Sequence, residues 1–265
     1  MKKLIVANWK CNPQTKKKAV SLIKKIHNEL FSFNLKKTEV VLCPPFLFIE
    51  TIFSFLEKLE KKEKKKILLG AQNSFWEKEG GAFCGEISPM MLKNFSVKYV
   101  IVGHSERRKY LKEDDQMIAK KIKALFETKI SPILCVGETE KERKEERTAF
   151  VIKTQLKKSL SFLKKYSKKF PLEKINVAYE PVWAIGTGNF CPPKEALKML
   201  IYIKKILFTI FGRKKGEKIR ILYGGSVSQK NAKAYIKEGF QGLLIGGVSL
   251  KPKEFCQIIK EIENL

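Results

Sequence analysis

The stretch Ile175-Asn176-Val177-Ala178-Tyr179-Glu180-Pro181-Val182-Trp183-Ala184-Ile185-Gly186-Thr187-Gly188 begins as a short apolar run and ends as a hinged apolar loop. The run Ile175–Tyr179 has the length and β-branched character of a buried strand. It delivers one carboxylate, Glu180. A stiff Pro181 follows, then the bulky Trp183 and Ile185, then two glycines. A strand that ends in a carboxylate and opens into such a loop suits a general base beneath a lid, Pro181 to Gly188.

Runs of the same kind recur along the chain at Leu4–Asn8, Glu39–Cys43, Ile67–Ala71, Tyr99–Gly103, Pro132–Val136, Arg220–Tyr223 and Gly242–Ile245. Between them apolar residues fall at helical spacing. Ala19, Leu22, Ile23, Ile26 and Leu30 share one face, as do Ile118, Ile122 and Leu125, and Leu197, Leu200, Ile201 and Ile206. Near-continuous apolar strands alternating with helices predict a parallel sheet covered by helices. Eight such units in 265 residues fit a closed (β/α)8 barrel better than an open sheet. No shift of composition marks a second domain, so residues 1–265 read as one.

Polar residues gather where these runs end. Asn8 and Lys10 follow the first run, Gln72 and Asn73 the third, His104 the fourth and Gly137-Glu138 the fifth. Glu180 follows the sixth, Gly224-Gly225-Ser226 the seventh and Gly246-Gly247 the eighth. In a parallel barrel every strand C-terminus opens on one face, where active sites sit. This convergence points to an enzyme.

Composition narrows the class. Hydrophobic residues make up 44% of the chain, enough for a large core and against disorder. No apolar run nears the ~18 residues of a membrane-spanning helix. The apolar run after Lys2-Lys3 is shorter than the ~7–15 residues of a signal peptide. A cytoplasmic protein is expected. Six scattered cysteines without a C-x-x-C pair, and two histidines, favour free thiols over a zinc site. The net charge is +27, from 54 basic and 27 acidic residues. Such a charge can mark a nucleic-acid binder. Here the lysines (Lys16–Lys18, Lys61–Lys66, Lys157-Lys158, Lys164-Lys165, Lys168-Lys169) fall in separate helical segments, with no aromatic-interleaved groove. Solvated helix faces are the simpler reading, and lysine lacks the bidentate fork that phosphate recognition favours.

Each candidate residue has a plain reading beside a chemical one. A strand-end glutamate can be a helix cap, and a histidine before a helix can be a buried hydrogen-bonded group. At a helix N-terminus the dipole disfavours imidazolium, so His104 would donate as neutral imidazole to a developing oxyanion. Lys10 at a barrel mouth suits an anion, with Asn8 beside it. The glycine pairs after runs seven and eight let backbone N–H groups approach an anion closely, as barrel phosphate sites do. The long polar loop from Gln72 to Glu86 carries Phe75, Trp76 and Phe83, whose burial a partner subunit would supply most simply. Cys135 is expected to pack beneath the site.

Asn8-Trp9-Lys10, Ala71-Gln72-Asn73, Gly103-His104-Ser105-Glu106-Arg107-Arg108, Cys135-Val136-Gly137-Glu138, Tyr179 to Gly188, Tyr223-Gly224-Gly225-Ser226-Val227 and Gly246-Gly247 together closely resemble the triosephosphate isomerase family. They occur in the family's order and near its spacing. The resemblance implies a TIM barrel that interconverts dihydroxyacetone phosphate and glyceraldehyde 3-phosphate, with no metal or organic cofactor. That family is itself the standard example of a glutamate base with a neutral histidine and a closing loop. By resemblance Glu180 is the proton shuttle, His104 the electrophile and Lys10 the charge partner. Asn8, Lys10, Gly186, Ser226, Gly246 and Gly247 would bind substrate or its phosphate. Pro181, Val182, Trp183, Ala184, Ile185, Gly186, Thr187 and Gly188 would form the lid. Ser105, Glu106, Cys135 and Tyr223 would support the site. The resemblance also implies a homodimer, with Gln72, Asn73, Phe83, Cys84 and Gly85 on the inserted loop.

Three places depart from the family's pattern. Cys84 stands where threonine is usual, and Cys11 where methionine is usual. The far hinge runs on as Asn189-Phe190-Cys191, bulkier than is common. A phosphate-binding barrel with other chemistry is the alternative, because fold alone does not fix function.

Overall fold

The computed structural model describes residues 1–60, 67–166, 171–186 and 189–265. The lysine run 61–66, Lys168-Lys169 and the lid residues Thr187 and Gly188 lie outside them. Eight parallel strands close into a barrel in chain order. They are β1 (Lys3–Asn8), β2 (Thr38–Cys43), β3 (Ile67–Ala71), β4 (Tyr99–Val102), β5 (Ser131–Val136), β6 (Asn176–Tyr179), β7 (Arg220–Tyr223) and β8 (Gly242–Ile245). Closure comes from β1, which pairs with β2 on one side and with β8 on the other. The expected boundaries hold to within a residue at either end.

The strands are buried on both faces, which is why they read as continuous apolar runs. Alternate side chains go opposite ways. Leu4, Val6, Val41, Cys43, Ile101, Ile133, Cys135, Ala178, Leu222 and Leu244 form one cluster, the barrel interior. Ile5, Ala7, Val40, Leu42, Val100, Val102, Leu134, Val136, Val177 and Ile221 join the helices in the outer layer. The same period of two carries the interior face onward to the strand ends. Asn8 follows Leu4 and Val6, and Glu180 follows Asn176 and Ala178, so both enter the barrel mouth.

The opposite end of the barrel is closed by a polar plug. Arg220 donates to Asn176 Oδ1 at 2.8 Å, to Tyr99 Oη at 2.8 Å and to Glu39 Oε2 at 3.2 Å. Tyr99 in turn donates to Glu39 Oε1 at 2.8 Å. Every polar end has a partner, which is what burial demands.

The helices pack as their periodicity predicts, with one correction. Helix Lys16–Phe31 buries Ala19, Leu22, Ile23, Ile26 and Leu30, and helix Asp115–Glu127 buries Ile118, Ile122 and Leu125. Helix Pro193–Phe211 buries Ala196, Leu200, Ile203, Ile206, Leu207 and Ile210. Ile201, expected on that face, is 59% exposed. One residue is 100° of helix, and that turns Ile201 from the face of Leu200 toward solvent. Helix Asp115–Glu127 also buries a lysine. Lys121 donates to Asn73 Oδ1 at 2.8 Å and pairs with Glu113, which Arg107 reaches at 2.6 Å. Burial holds the Lys121 ammonium below the usual lysine range, against the pull of Glu113.

Candidate active site

The site forms where β1, β4, β6, β7 and β8 end. At β1, Lys10 takes a left-handed backbone (φ 52°), costly for a residue with a side chain. Two contacts hold it there. Asn8 Oδ1 accepts the Lys10 N–H at 3.1 Å, and the Gln72 amide donates to Lys10 O at 2.8 Å and to Cys43 O at 2.9 Å. The Lys10 ammonium then pairs with Glu106 Oε1.

His104 caps helix Ser105–Leu111. Its Nδ1 accepts the Glu106 N–H at 3.3 Å. An accepting Nδ1 carries no proton, so the ring proton sits on Nε2 as neutral imidazole. Nε2 lies 3.2 Å from Glu180 Oε1. The second oxygen, Oε2, accepts the Ser105 N–H at 3.0 Å. The helix start therefore donates to the carboxylate, and the capping imidazole lies beside it.

Glu180 is buried, and its backbone is pinned. Its N–H donates to Val136 O at 2.8 Å, and the Gly224 N–H reaches the preceding carbonyl, Tyr179 O, at 2.8 Å. Gly137 packs against it so closely that a Cβ there would lie 1.7 Å from Glu180 O. The Cys135 thiol lies directly beneath Glu180. Burial, then the Glu180 charge, raises its pKa well above the usual thiol range, so it is a packing group.

The segment expected to form the lid begins with Pro181 and a 3-10 turn, Val182–Ala184. Glu138, fully buried, gathers this segment. Its carboxylate accepts from Trp183 Nε1 at 2.8 Å and Tyr179 Oη at 3.2 Å, and its carbonyl accepts the Val182 N–H at 3.0 Å. Burial raises the Glu138 pKa, opposed by those side-chain donors. The Ser226 hydroxyl donates to Ala184 O. At the far end Tyr223 Oη accepts the Cys191 N–H at 3.3 Å, and Tyr235 Oη donates to Cys191 O at 2.6 Å. The two tyrosine rings stack at 3.7 Å.

These elements enclose a cleft of about 250 Å³, lined by Asn8, Lys10, His104, Glu180, Ile185 and Gly186. Gly224, Gly225, Ser226, Gly246 and Gly247 complete its lining. Gly247 opens the 3-10 turn Gly247–Leu250, where free N–H groups collect. The cleft thus joins a carboxylate, a neutral imidazole N–H, an ammonium and a wall of glycine backbone. That set suits proton transfer beside a carbonyl in a small anionic substrate.

The other expected residues fall as follows. Ser105 and Glu106 lie beside the reactive groups, Cys135 beneath them, and Tyr223 under the far hinge. Gln72 and Asn73, expected on the dimer loop, bond within the chain to Lys10 and Lys121. Phe83, Cys84 and Gly85 are exposed. Phe75 is buried within its own chain, stacked on Trp76 at 4.2 Å and tilted against Phe83 at 4.8 Å. Part of the burial expected from a partner is therefore internal. Glu138, visible in sequence as part of Cys-Val-Gly-Glu, was not among the expected supporting residues, and only its position identifies it as the residue that gathers Tyr179, Val182 and Trp183.

The family model for triosephosphate isomerase matches residues 3–262. The chain is 44% identical over 260 residues to the triosephosphate isomerase of Dictyoglomus turgidum, covering 98% of this chain and 99% of that protein. It is 42% identical over 260 residues to that of Carboxydothermus hydrogenoformans, covering 98% of each. To that of Aquifex aeolicus it is 42% identical over 262 residues, covering 98% of this chain and 99% of that protein. With a closed barrel, a match across nearly its whole length and relatives above 40% identity, the chain belongs to the triosephosphate isomerase family.

Proposed function

We propose that Glu180, His104 and Lys10 perform the family's reaction, the interconversion of dihydroxyacetone phosphate and D-glyceraldehyde 3-phosphate. The observation that carries these roles is the 3.2 Å approach of His104 Nε2 to Glu180 Oε1 at the edge of the glycine-walled cleft. The Glu180 carboxylate takes a proton from the carbon beside the carbonyl. The freed electron pair becomes the double bond of an enediolate, and the carbonyl oxygen becomes the oxyanion. That oxyanion accepts from His104 Nε2–H and faces the Lys10 ammonium. The hydroxyl proton crosses between the two oxygens through the imidazole, and Glu180 returns its proton to the neighbouring carbon. Atoms and electrons balance within the substrate, so the step calls for no cofactor.

The phosphate would sit against Gly186, Ser226, Gly246 and Gly247, where backbone donors suit a dianion. The lid would exclude water and keep the enediolate from side reactions. The direct test is Glu180→Asp. The pinned backbone cannot follow the shortened side chain, so the carboxylate withdraws by ~1 Å and turnover falls ~10²-fold. An unchanged rate would remove Glu180 as the base.

The chain is further read as one domain and a homodimer. Leu47, Met91 and Phe83, all between β2 and β4, are 87%, 47% and 43% exposed, and a second copy would cover them. Among the described residues no helix is long and apolar enough to cross a membrane. Free thiols at Cys11, Cys43, Cys84, Cys135, Cys191 and Cys256 suit a reducing, cytoplasmic setting. The lysine surface is read as solvated, its field drawing in a small anion and not a nucleic acid.

A further inference from the structure

We infer that Arg143 is a positioning residue that ties the lid's first arm to the helix that follows the lid. Arg143 lies outside the cleft, on the short helix Glu140–Lys144 after β5. That helix is fixed by a capping box in which Thr139 and Glu142 bond each other's backbone N–H. From there the guanidinium reaches two places that the chain separates. Its carbon lies 4.0 Å from the centroid of the Trp183 ring, on the lid's first arm. Its Nη2 donates at 2.8 Å to Glu195 Oε2, in the first turn of helix Pro193–Phe211.

The geometry divides the work. Glu138 holds the edge of the Trp183 indole through Nε1, and Arg143 covers its face. The ion pair with Glu195 is half-exposed at both ends and contributes little by itself. Its effect is to orient the guanidinium plane, so that the cation meets the aromatic face. One planar cation thus links the arm that leaves Glu180 to the start of helix Pro193–Phe211, which follows the lid. A lysine could keep the charge but not the fork and the plane.

This inference rests on residues 181–188 acting as a lid, and the test separates the two. Arg143→Ala, Arg143→Lys, Trp183→Leu and the double variant are assayed with triose phosphate and with D-glyceraldehyde. D-glyceraldehyde has the same carbonyl chemistry without the phosphate for the lid to close upon. Arg143→Ala should lower kcat/KM for triose phosphate roughly tenfold. It should leave the thermal midpoint and the slow turnover of D-glyceraldehyde unchanged. Arg143→Lys should recover only part of the loss. In the Trp183→Leu background, Arg143→Ala should cost nothing further, because the stacked pair is already broken. Undiminished triose phosphate turnover in Arg143→Ala, an equal loss on both substrates, or additive losses would each overturn the inference. A wild-type chain without isomerase activity would overturn the underlying assignment instead.

Discussion

Replacing Gly137 by alanine should disable the site from behind while adding one methyl group. A Cβ at residue 137 would lie 1.7 Å from Glu180 O and 2.5 Å from its carbonyl carbon. Ordinary contact begins near 3.4 Å, so one of the two backbones must move by about 1.7 Å. Gly137 is itself tied down, because Gln155 donates to its carbonyl at 3.1 Å and accepts its N–H at 2.9 Å. Part of the displacement therefore falls on Glu180. A ~1 Å misplacement of a catalytic group can cost ~10²-fold, so kcat should fall by about that factor or more. Overpacking should also cost about 1–3 kcal/mol of stability. The assay is triose phosphate turnover, with circular dichroism to confirm the folded state. Gly224→Ala is the milder companion, since its Cβ would stand 3.0 Å from Glu180 Cγ, a contact the side chain can partly relieve. A folded Gly137→Ala protein within tenfold of wild-type kcat would refute the claim that this close approach sets the position of Glu180.

Two further outcomes are expected. Glu263 near the C-terminus accepts from the N–H groups of Lys36, Lys37 and Thr38 and from the Thr38 hydroxyl, at 2.7 to 2.8 Å. Burial alone would raise its pKa, but the four donors outweigh that and lower it. A lowered carboxylate pKa stabilises the fold above the unfolded value, and that contribution is lost as pH falls through the folded value. Glu263→Gln should cost about 2 kcal/mol at neutral pH, or about 4–8 °C in Tm. Melting curves of the two proteins should converge on acidification, and a gap that widens there would contradict the assignment. Cys84→Thr restores a stronger hydrogen-bonding group at the exposed loop tip. It should preserve or strengthen dimerisation in sedimentation, and a shift toward monomer would count against insertion of that loop into a second copy.

Much of the site was legible because strand ends in a parallel barrel share one face. Glu180, His104, Lys10 and the two glycine pairs could be placed together from the strand pattern alone. Helix faces were legible where spacing was regular, and failed at Ile201, where an apolar residue lies just past the buried stripe. Lys121 could not be read as buried, because its burial depends on Asn73 and Glu113, brought to it by other segments. The dual role of Gln72 was hidden for a similar reason. Nothing near it in sequence reveals that its amide braces the Lys10 carbonyl 62 residues away.

The sequence by itself determined the alternation of strand and helix, and which strand ends carry polar groups. Both follow from local rules, the period of two and the period of 3.6. Closure of the barrel was decided only in the tertiary structure, because it needs β1 to meet β8 across almost the whole chain. The same holds for the proton on His104 Nε2, set by a backbone N–H that helix Ser105–Leu111 presents. It holds for Glu138 and Arg143 as well, whose residue types are ordinary. Their positions become informative only when packing brings them against Trp183.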